Sequence, residues 1–309
     1  MIQKAYIKPT TVLEALTKAV ECKNNYIYFG GGTDIQIYRK QNLSLQNNII
    51  DLSEISELRT IDLNDSVLQI GSMVTLDELI NSSIVTENFP MIIKAAQSVA
   101  TPVIRKTATI GGNLLVMNRC TFYNQSRDWR KSIGSCLRES GDICQVTGIK
   151  SKCYARNVSD ISPVLIVSDA EVIIQNRNTV ATIPLLNLYT SNGIYPFQNL
   201  ADDGIIIGIR LTNKPVKWWY QKLRLRQSLD FTSLTIAATV DEDNIARICI
   251  NGVSMAPVLI KEELSKLTLD DLQKQSIKAC NLVDNDLMPL SYRREMLKKY
   301  IDDWWDSVH

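Results

Sequence analysis

YIYFGGGTDI, residues 26–35, is a short apolar run that leads directly into three glycines. The run Tyr26–Phe29 predicts a buried strand, and the glycines predict a turn in which several backbone N–H groups can point at one place. Such a turn suits a phosphate or pyrophosphate group. It lacks the Gly-Lys-Ser/Thr ending of the nucleoside triphosphatase loop and the spaced glycines of the Rossmann fingerprint. The sequence therefore disfavours those two families.

A second glycine turn, TIGGNL at residues 109–114, lies far along the chain from the first. Both turns free the backbone for close approach to a ligand, because glycine has no β-carbon. Two such turns could clamp one extended dinucleotide between them.

Helical and strand patterns alternate along the chain, which predicts an α+β fold. Thr11 with Glu14, and Thr75 with Glu78, form capping-box patterns that mark helix starts. The predicted helices lie at about 11–22, just after 75 and over 91–99; the predicted strands lie at 26–29, 49–52, 67–70, 161–174, 204–211 and 246–251. A third unit with a helical C-terminal part is predicted from about residue 214.

The composition excludes several classes of protein. The 309 residues are 45% hydrophobic and 22% charged, as in a globular chain of two or three compact units. The net charge of +1 argues against nucleic acid or anionic lipid as a partner. The single histidine is His309, the last residue, so a His-based catalytic or zinc site is not expected. There is no signal-peptide pattern and no apolar stretch of membrane-spanning length, so we expect a cytoplasmic protein.

Four of the seven cysteines fall between residues 120 and 153. The segment around them has neither helical nor strand periodicity, and a long irregular segment usually needs a ligand to hold it. Buried inert thiols and a metal site are the two interpretations. Zinc sites usually present Cys-x-x-Cys pairs, which this segment lacks, whereas an iron–sulfur cluster accepts ligands from separate points of a loop. The spacing therefore favours an iron–sulfur cluster over zinc. We call these four the loop cysteines: Cys120, Cys136, Cys144 and Cys153.

The segment that holds the loop cysteines is also basic. Between residues 119 and 156 the net charge is +5. A basic rim would stabilise an anionic cluster and could attract an acidic electron-carrier protein. The alternative is an ordinary solvated loop.

Four motifs in this order resemble the FAD-binding subunits of the molybdenum hydroxylases, the family of xanthine dehydrogenase and aerobic carbon monoxide dehydrogenase. The motifs are FGGGTDI at 29–35, TIGGNL at 109–114, SDISPVLI at 159–166 and YQKLRLRQSLDFT at 220–232. The resemblance extends to NGVSMAPV at 251–258 and SYRREM at 291–296. It implies a two-part FAD-binding domain of the PCMH type, at 1–57 and 58–213, followed by a C-terminal α+β domain of the carbon monoxide dehydrogenase flavoprotein type at 214–309.

Most members of that family lack the cysteine segment, at about 118–157. It resembles the insertion in the β subunits of 4-hydroxybenzoyl-CoA reductases, which binds an extra [4Fe–4S] cluster. The resemblance implies that the four loop cysteines are the cluster ligands.

The resemblance also implies the FAD site. The first glycine motif would contact the FAD pyrophosphate and nearby groups, and the second would form the other half of the clamp. Asp160 would be a hydrogen-bonding partner of the nucleotide, Lys222 a contact near the flavin ring, and Ile206 a residue packed beside the ring. Val99 is the nearest match to the aromatic residue that covers the flavin in some relatives. The residues of the two motifs are Phe29, Gly30, Gly31, Gly32, Thr33 and Asp34, and Thr109, Gly112 and Asn113.

The function implied is that of an oxidoreductase subunit that binds FAD and one [4Fe–4S] cluster. It would work with a molybdopterin-binding large subunit and a small subunit that carries two [2Fe–2S] clusters. An external carrier such as a ferredoxin or flavodoxin would exchange electrons with it. Two alternatives remain at this point: a stand-alone FAD-dependent oxidoreductase, and a zinc-stabilised binding module without redox activity.

Overall fold

The structure of the chain, a computed structural model, describes residues 5–23, 25–41, 43, 46–200, 203–212 and 214–309. Within these residues the chain forms three β-sheets with helices packed on them. The strands are β1 (Tyr6–Ile7), β2 (Tyr26–Phe29), β3 (Asn48–Asp51), β4 (Ile61–Asn64), β5 (Val67–Gly71), β6 (Glu171–Gln175), β7 (Val180–Pro184), β8 (Ile205–Leu211), β9 (Lys217–Leu223), β10 (Leu234–Val240), β11 (Ile245–Asn251) and β12 (Val258–Glu263). The helices are α1 (Val12–Glu21), α2 (Ile35–Lys40), α3 (Leu76–Ile80), α4 (Ser83–Asn88), α5 (Pro90–Ser98), α6 (Pro102–Arg105), α7 (Ile110–Leu114), α8 (Arg127–Ile133), α9 (Ser162–Val167), α10 (Leu269–Ala279) and α11 (Leu290–Val308).

The first sheet is parallel, with strand order β1-β3-β2. Helix α1 covers it and buries Val12, Ala15 and Leu16 against Ile50. The Thr11 hydroxyl accepts a hydrogen bond from the Glu14 N–H, so the predicted helix start is confirmed. Because the strands are parallel, β2 and β3 end at the same edge, and the first glycine turn begins there.

The second sheet is antiparallel, with order β4-β5-β8-β6-β7, and it shares the largest hydrophobic core with α3, α5 and α9. Thr75 and Glu78 form the predicted capping box at the start of α3. The predicted strand over 161–174 is wrong in its first half, because Ser162–Val167 is the buried helix α9. Pro163 lies in its first turn, and an apolar run this short does not distinguish a buried helix from a buried strand.

The third sheet is antiparallel, with order β12-β11-β10-β9, and α10 and α11 cover it to form a separate core. Tyr220, Ala237 and Cys249, from the opposite face of this sheet, belong to the core of the second sheet. The predicted α+β fold is therefore confirmed. The boundary that we predict at residue 213 lies outside the described residues.

The two ends of the cysteine segment meet at one point. Arg119 and Arg156 exchange two backbone hydrogen bonds of 2.9 Å, which close the segment at its base. Arg156 also forms an ion pair with Asp286, at 2.5 Å, near the start of α11. Apart from α8 and one turn of 3₁₀ helix, the segment is irregular, as its lack of periodicity predicts.

Candidate cofactor sites

The first glycine turn connects β2 to α2 and presents unpaired backbone donors. Among the described residues, no acceptor is found for the N–H groups of Gly31, Gly32 and Thr33. Gly32 has φ +70°, and a β-carbon there would lie 2.1 Å from the ring of Phe29, which packs over the turn. Successive free N–H groups in such a turn form a concave site for an anion.

The two glycine motifs are in contact. A β-carbon on Gly31 would lie 1.6 Å from the carbonyl oxygen of Thr107, and one on Gly30 would lie 3.1 Å from the Thr109 hydroxyl oxygen. Leu76 donates to the Ala108 carbonyl at 2.8 Å, which holds this backbone next to α3. The structure thus brings together the two turns that the sequence predicts as a clamp.

The second motif is built differently from the first. It forms the short helix α7, and the Thr109 hydroxyl caps it by accepting the Gly112 N–H at 3.1 Å. The N–H groups of Ile110 and Gly111 donate to backbone carbonyls of Val74 and Ser72, so this motif offers no comparable set of free donors. Gly112 is exposed, and within 4 Å a β-carbon there would meet only the Thr109 hydroxyl oxygen, at 3.0 Å.

Asn113 joins the second glycine motif to the next predicted site residue. Its Oδ1 accepts hydrogen bonds from the Ser159 hydroxyl at 2.9 Å and the Ile161 N–H at 3.1 Å. These two residues flank Asp160. Asn113 therefore positions the turn that carries the Asp160 carboxylate.

Asp160 and Lys222 form a buried ion pair, with 2.7 Å between Oδ2 and Nζ. Lys222 also donates to the Ser98 carbonyl at 3.0 Å, and the Ser98 hydroxyl lies 2.9 Å from that of Tyr220. Burial raises the pKa of Asp160, and Lys222 opposes this shift. The Asp160 Oδ1 is buried and has no hydrogen-bond partner among the described residues. A buried acceptor of this kind is costly unless another group satisfies it.

Val99 and Ile206 lie in the main core. Val99 ends α5 and is 9% exposed, and its carbonyl accepts from Arg105 at 2.8 Å. The next residue, Ala100, has φ +45°, which is uncommon for a residue other than glycine. Ile206 lies on β8 opposite Ile174 and is 4% exposed. Its contacts are those of a core residue.

Asp34 faces an arginine that the sequence analysis did not single out as a site residue. Its Oδ1 lies 2.8 Å from Nη2 of Arg119, the residue before Cys120. Burial raises the pKa of Asp34, and Arg119 opposes this shift. The guanidinium also lies over the rings of Phe231 and Tyr38, at 4.1 Å and 5.2 Å from their centroids. A single arginine beside a cysteine matches no motif, so sequence reasoning had no signal for it.

The four loop cysteines line one small cavity, of about 10 Å³, together with apolar and aromatic side chains, Arg138 and Gln145. Arg138 donates to the Asn118 carbonyl at 2.9 Å and lies 4.0 Å from the Tyr123 ring centroid. Burial raises the pKa of Cys120 and Cys153, and the charge of Arg138 opposes this shift. Among the described residues, no three Cys, His, Asp or Glu side chains are arranged as a site for a single metal ion.

Backbone N–H groups act on all four loop cysteine sulfurs. Burial is the largest influence at each thiol and raises its pKa, while backbone N–H groups oppose this shift; the pKa stays raised at Cys120, Cys136 and Cys153. At Cys144 the hydrogen bonds, including one from the Thr147 hydroxyl, outweigh burial and lower the pKa. The donors are Phe122 and Tyr123 for Cys120, Arg138 and Glu139 for Cys136, Val146, Thr147 and Tyr154 for Cys144, and Ala155 for Cys153.

The other three cysteines lack this feature. Among the described residues no backbone N–H group acts on the sulfur of Cys22, Cys249 or Cys280, and burial raises the pKa of each. The difference separates two kinds of cysteine among the described residues: four whose sulfurs interact with backbone N–H groups that oppose the effect of burial, and three whose sulfurs lack such groups.

The basic residues of the cysteine segment do not form one rim, so that prediction is wrong in part. Arg130 is 2% exposed and bonds Glu139 and two backbone carbonyls. Arg119 and Arg156 are occupied by internal ion pairs. The exposed bases are Arg127, Lys131 and Lys150. A buried guanidinium with five donors satisfies internal acceptors and contributes little to the surface field.

The family of the chain follows from comparison with known proteins. The family described as "FAD binding domain in molybdopterin dehydrogenase" matches residues 1–213. This chain belongs to that family. The FAD-binding subunit of an Escherichia coli K12 aldehyde oxidoreductase is 27% identical over 252 residues, which cover 78% of this chain and 79% of that protein. The xanthine dehydrogenase FAD-binding subunit of Escherichia coli O157:H7 is 25% identical over 84% of this chain and 78% of that protein.

Solved structures of the molybdenum hydroxylases confirm the fold that the family resemblance implies. A chain of carbon monoxide dehydrogenase from Hydrogenophaga pseudoflava aligns with a TM-score of 0.75 at 19% identity, over 98% of this chain and 96% of that chain. Quinoline 2-oxidoreductase from Pseudomonas putida 86 aligns with the same TM-score at 14% identity, over 99% and 96%. Among the described residues, no helix has both the length and the apolar character needed to cross a membrane.

The residues of this FAD-binding family member fit the cofactor of the family. The free N–H groups of the first turn match the charge of a pyrophosphate. The Asp160 Oδ1 has no hydrogen-bond donor among the residues that the structure describes, and FAD is rich in hydroxyl and ring N–H donors.

Proposed function

We propose that this chain is the electron-transfer subunit of a molybdenum-containing hydroxylase or reductase complex, and that it holds FAD and one [4Fe–4S] cluster. Its partners would be a molybdopterin-binding large subunit and a small subunit with two [2Fe–2S] clusters. The observation that carries the proposal is the pair of cofactor sites on one chain. One is a turn with free N–H donors, and the other is a cavity lined by four thiols that each interact with backbone N–H groups.

FAD exchanges electrons singly or in pairs, so it can join one-electron iron–sulfur centres to a two-electron reaction. The residues proposed to hold it are those of the two glycine motifs, with Asp160 and Lys222. The N–H groups of Gly31, Gly32 and Thr33 would bind the pyrophosphate. The buried Asp160–Lys222 pair would fix the orientation of the nucleotide and keep water from the site. The assignment of Ile206 rests on the family resemblance alone.

The cluster proposal is supported by the contrast between the loop cysteines and the other three. Iron–sulfur ligands are thiolates, and hydrogen bonds to their sulfurs tune a cluster's potential. The N–H groups around the loop cysteines and the charge of Arg138 would stabilise an anionic cluster. The cysteine segment's resemblance to 4-hydroxybenzoyl-CoA reductase β subunits supports the same cofactor.

The first experiment is to purify the full chain without oxygen and measure its absorption spectrum, released FAD, iron and acid-labile sulfide. We expect about one FAD with about four iron and four sulfide per chain. One zinc per chain and no sulfide would overturn the cluster proposal and indicate a zinc site in its place. Turnover of a small substrate by the chain alone would favour a stand-alone oxidoreductase.

An external carrier would reach the cluster from the side of α8. Trp129 and Ile133 are exposed on this helix, and Phe122, which lines the cysteine cavity, contacts the Trp129 ring at 5.4 Å between centroids. Arg127 and Lys131 are exposed beside them. With the exposed Asp128 between them, the surface combines apolar contact with a small net positive charge, which suits an acidic ferredoxin or flavodoxin.

Reversing the charge of Arg127 and Lys131 together tests this surface. The variant should keep its iron and FAD but react more slowly with an acidic carrier at low ionic strength, and the difference should shrink as salt is added. Stopped-flow mixing measures the rate. An unchanged rate at low ionic strength would show that the carrier does not react through this surface.

A further inference from the structure

Arg119 contacts both candidate cofactor sites. Its guanidinium pairs with Asp34 at 2.8 Å, at the end of the first glycine turn, and its carbonyl carbon is bonded to the nitrogen of Cys120. The Cys120 sulfur lines the cysteine cavity. Arg119 thus lies between the first glycine turn and the cysteine cavity.

The position of Arg119 is fixed at both ends. Its backbone N–H and carbonyl pair with those of Arg156, and its side chain is 11% exposed between the rings of Phe231 and Tyr38. The following residue is fixed as well, because the Cys120 N–H donates to Asn124 Oδ1 at 2.8 Å. Because the two residues are joined by a peptide bond and their side chains are held, a shift of the Cys120 backbone would be transmitted to Arg119.

The charge of Asp34 makes this contact matter for a ligand in the turn. A carboxylate beside an anion-binding turn repels a pyrophosphate, and a cation on the carboxylate cancels that repulsion. Arg119 is the cation that the structure supplies. The affinity of the turn for an anion would then depend on where Arg119 lies relative to Asp34.

We propose that Arg119 is a positioning residue that couples the two cofactor sites, so that an assembled cluster at the loop cysteines tightens FAD binding at the glycine turn and bound FAD favours the assembled cluster. The inference rests on the proposed function, because it needs both cofactors on one chain. By linkage, each site must change the affinity of the other by the same factor.

The test measures FAD affinity in the full chain with and without the cluster. Flavin is removed, the cluster is kept or is stripped by oxidation with a chelator present, and each form is titrated with FAD by fluorescence. In wild type we expect the dissociation constant to rise about fivefold or more when the cluster is lost. In Arg119→Gln the ratio of the two FAD dissociation constants, without and with the cluster, should fall to near one.

Two further variants separate coupling from simple loss of structure. Arg119→Lys keeps the charge and should retain part of the ratio. Asp34→Asn, which removes the other half of the pair, should lower the ratio as Arg119→Gln does, and the double variant should add nothing further. Arg247→Gln is the matched control, because Arg247 is also a buried arginine paired with aspartates but lies on β11. It should leave the ratio at its wild-type value even if the melting temperature falls.

The outcomes distinguish the two proposals. A wild-type chain without iron and sulfide overturns the proposed function and this inference with it. A wild-type chain that holds both cofactors, but whose FAD affinity is the same with and without the cluster, overturns the coupling alone. An equal ratio in wild type and Arg119→Gln overturns the role of Arg119.

Discussion

Gly112→Ala tests the FAD site with little risk to the fold. Gly112 lies in the helix α7 and its φ is outside the left-handed region, so alanine can adopt its conformation. Alanine in a helix is about 0.8–1.0 kcal/mol more favourable than glycine. The only close contact of the new β-carbon is the Thr109 hydroxyl oxygen at 3.0 Å, which must shift by a few tenths of an ångström and offsets part of that gain. We expect a free energy of unfolding within about 1 kcal/mol of wild type.

The same substitution should weaken FAD binding markedly. Gly112 is exposed and lies next to Thr109, the residue of the second motif that is near Gly30 of the first glycine turn. A methyl group on residue 112 would therefore occupy space that a bound pyrophosphate would approach. We expect the dissociation constant for FAD to rise tenfold or more, which corresponds to about 1.4 kcal/mol. Fluorescence titration of the flavin-free chain measures the affinity, and urea denaturation of the same preparation measures stability.

Gly31→Ala is the contrasting variant. Its β-carbon would lie 1.6 Å from the Thr107 carbonyl oxygen and 2.4 Å from the carbonyl carbon, and backbone atoms cannot rotate away. Overpacking of this kind costs about 1–3 kcal/mol or more, so FAD binding and stability should fall together. The reasoning is refuted if Gly112→Ala is as stable as wild type and binds FAD with unchanged affinity.

Three further predictions concern the cysteines, a buried arginine and a helix cap. Serine in place of any loop cysteine should lower iron and sulfide per chain, whereas Cys249→Ser should leave both at wild-type values; equal losses would contradict the two classes of cysteine. Arg130→Glu should lower the free energy of unfolding by about 3–5 kcal/mol in urea denaturation, because it places a carboxylate beside Glu139, while Lys131→Glu should change it by about 0.5 kcal/mol at most; similar effects would place Arg130 at the surface. Glu78→Gln should cost about 0.5–1 kcal/mol at neutral pH: burial alone would raise the pKa of Glu78, but Thr75 and Arg59 outweigh it and lower the pKa, so the cost should shrink as the pH falls through that pKa, and a cost that does not shrink as the pH falls would contradict this.

Local patterns predict the elements that position the proposed FAD site. Three local patterns are read from residues that are close together in the sequence: the capping-box patterns at Thr11 and Thr75, which mark helix starts, and the apolar run before Gly30, which marks the end of a strand. A short window of sequence therefore contains the whole signal. The sequence of Ser162–Val167 predicts a strand although the segment is a helix, because burial on all sides removes the polar face from which helical periodicity is read. Proximity of the two glycine motifs was predictable only as a hypothesis, since the Gly31–Thr107 contact is set by tertiary packing.

Arg119 shows a different limit of sequence reasoning. Its neighbours in the fold, Asp34, Tyr38 and Phe231, come from two distant parts of the chain. No spacing rule connects them, so the residue that joins the two sites is invisible until the chain is folded.

The net charge of the cysteine segment overstates the charge that the segment presents at the protein surface. A net +5 counts Arg119, Arg130 and Arg156 equally with surface bases, although their guanidinium groups neutralise internal carboxylates. The exposed charges are three bases, Arg127, Lys131 and Lys150, and two acids, Asp128 and Asp142, so the field at the surface is weak. An acidic carrier would then be held mainly by the apolar Trp129 and Ile133, with local steering by Arg127 and Lys131. It follows that Trp129→Ala should slow a carrier's reaction even at high salt, where the effect of charge reversal has vanished.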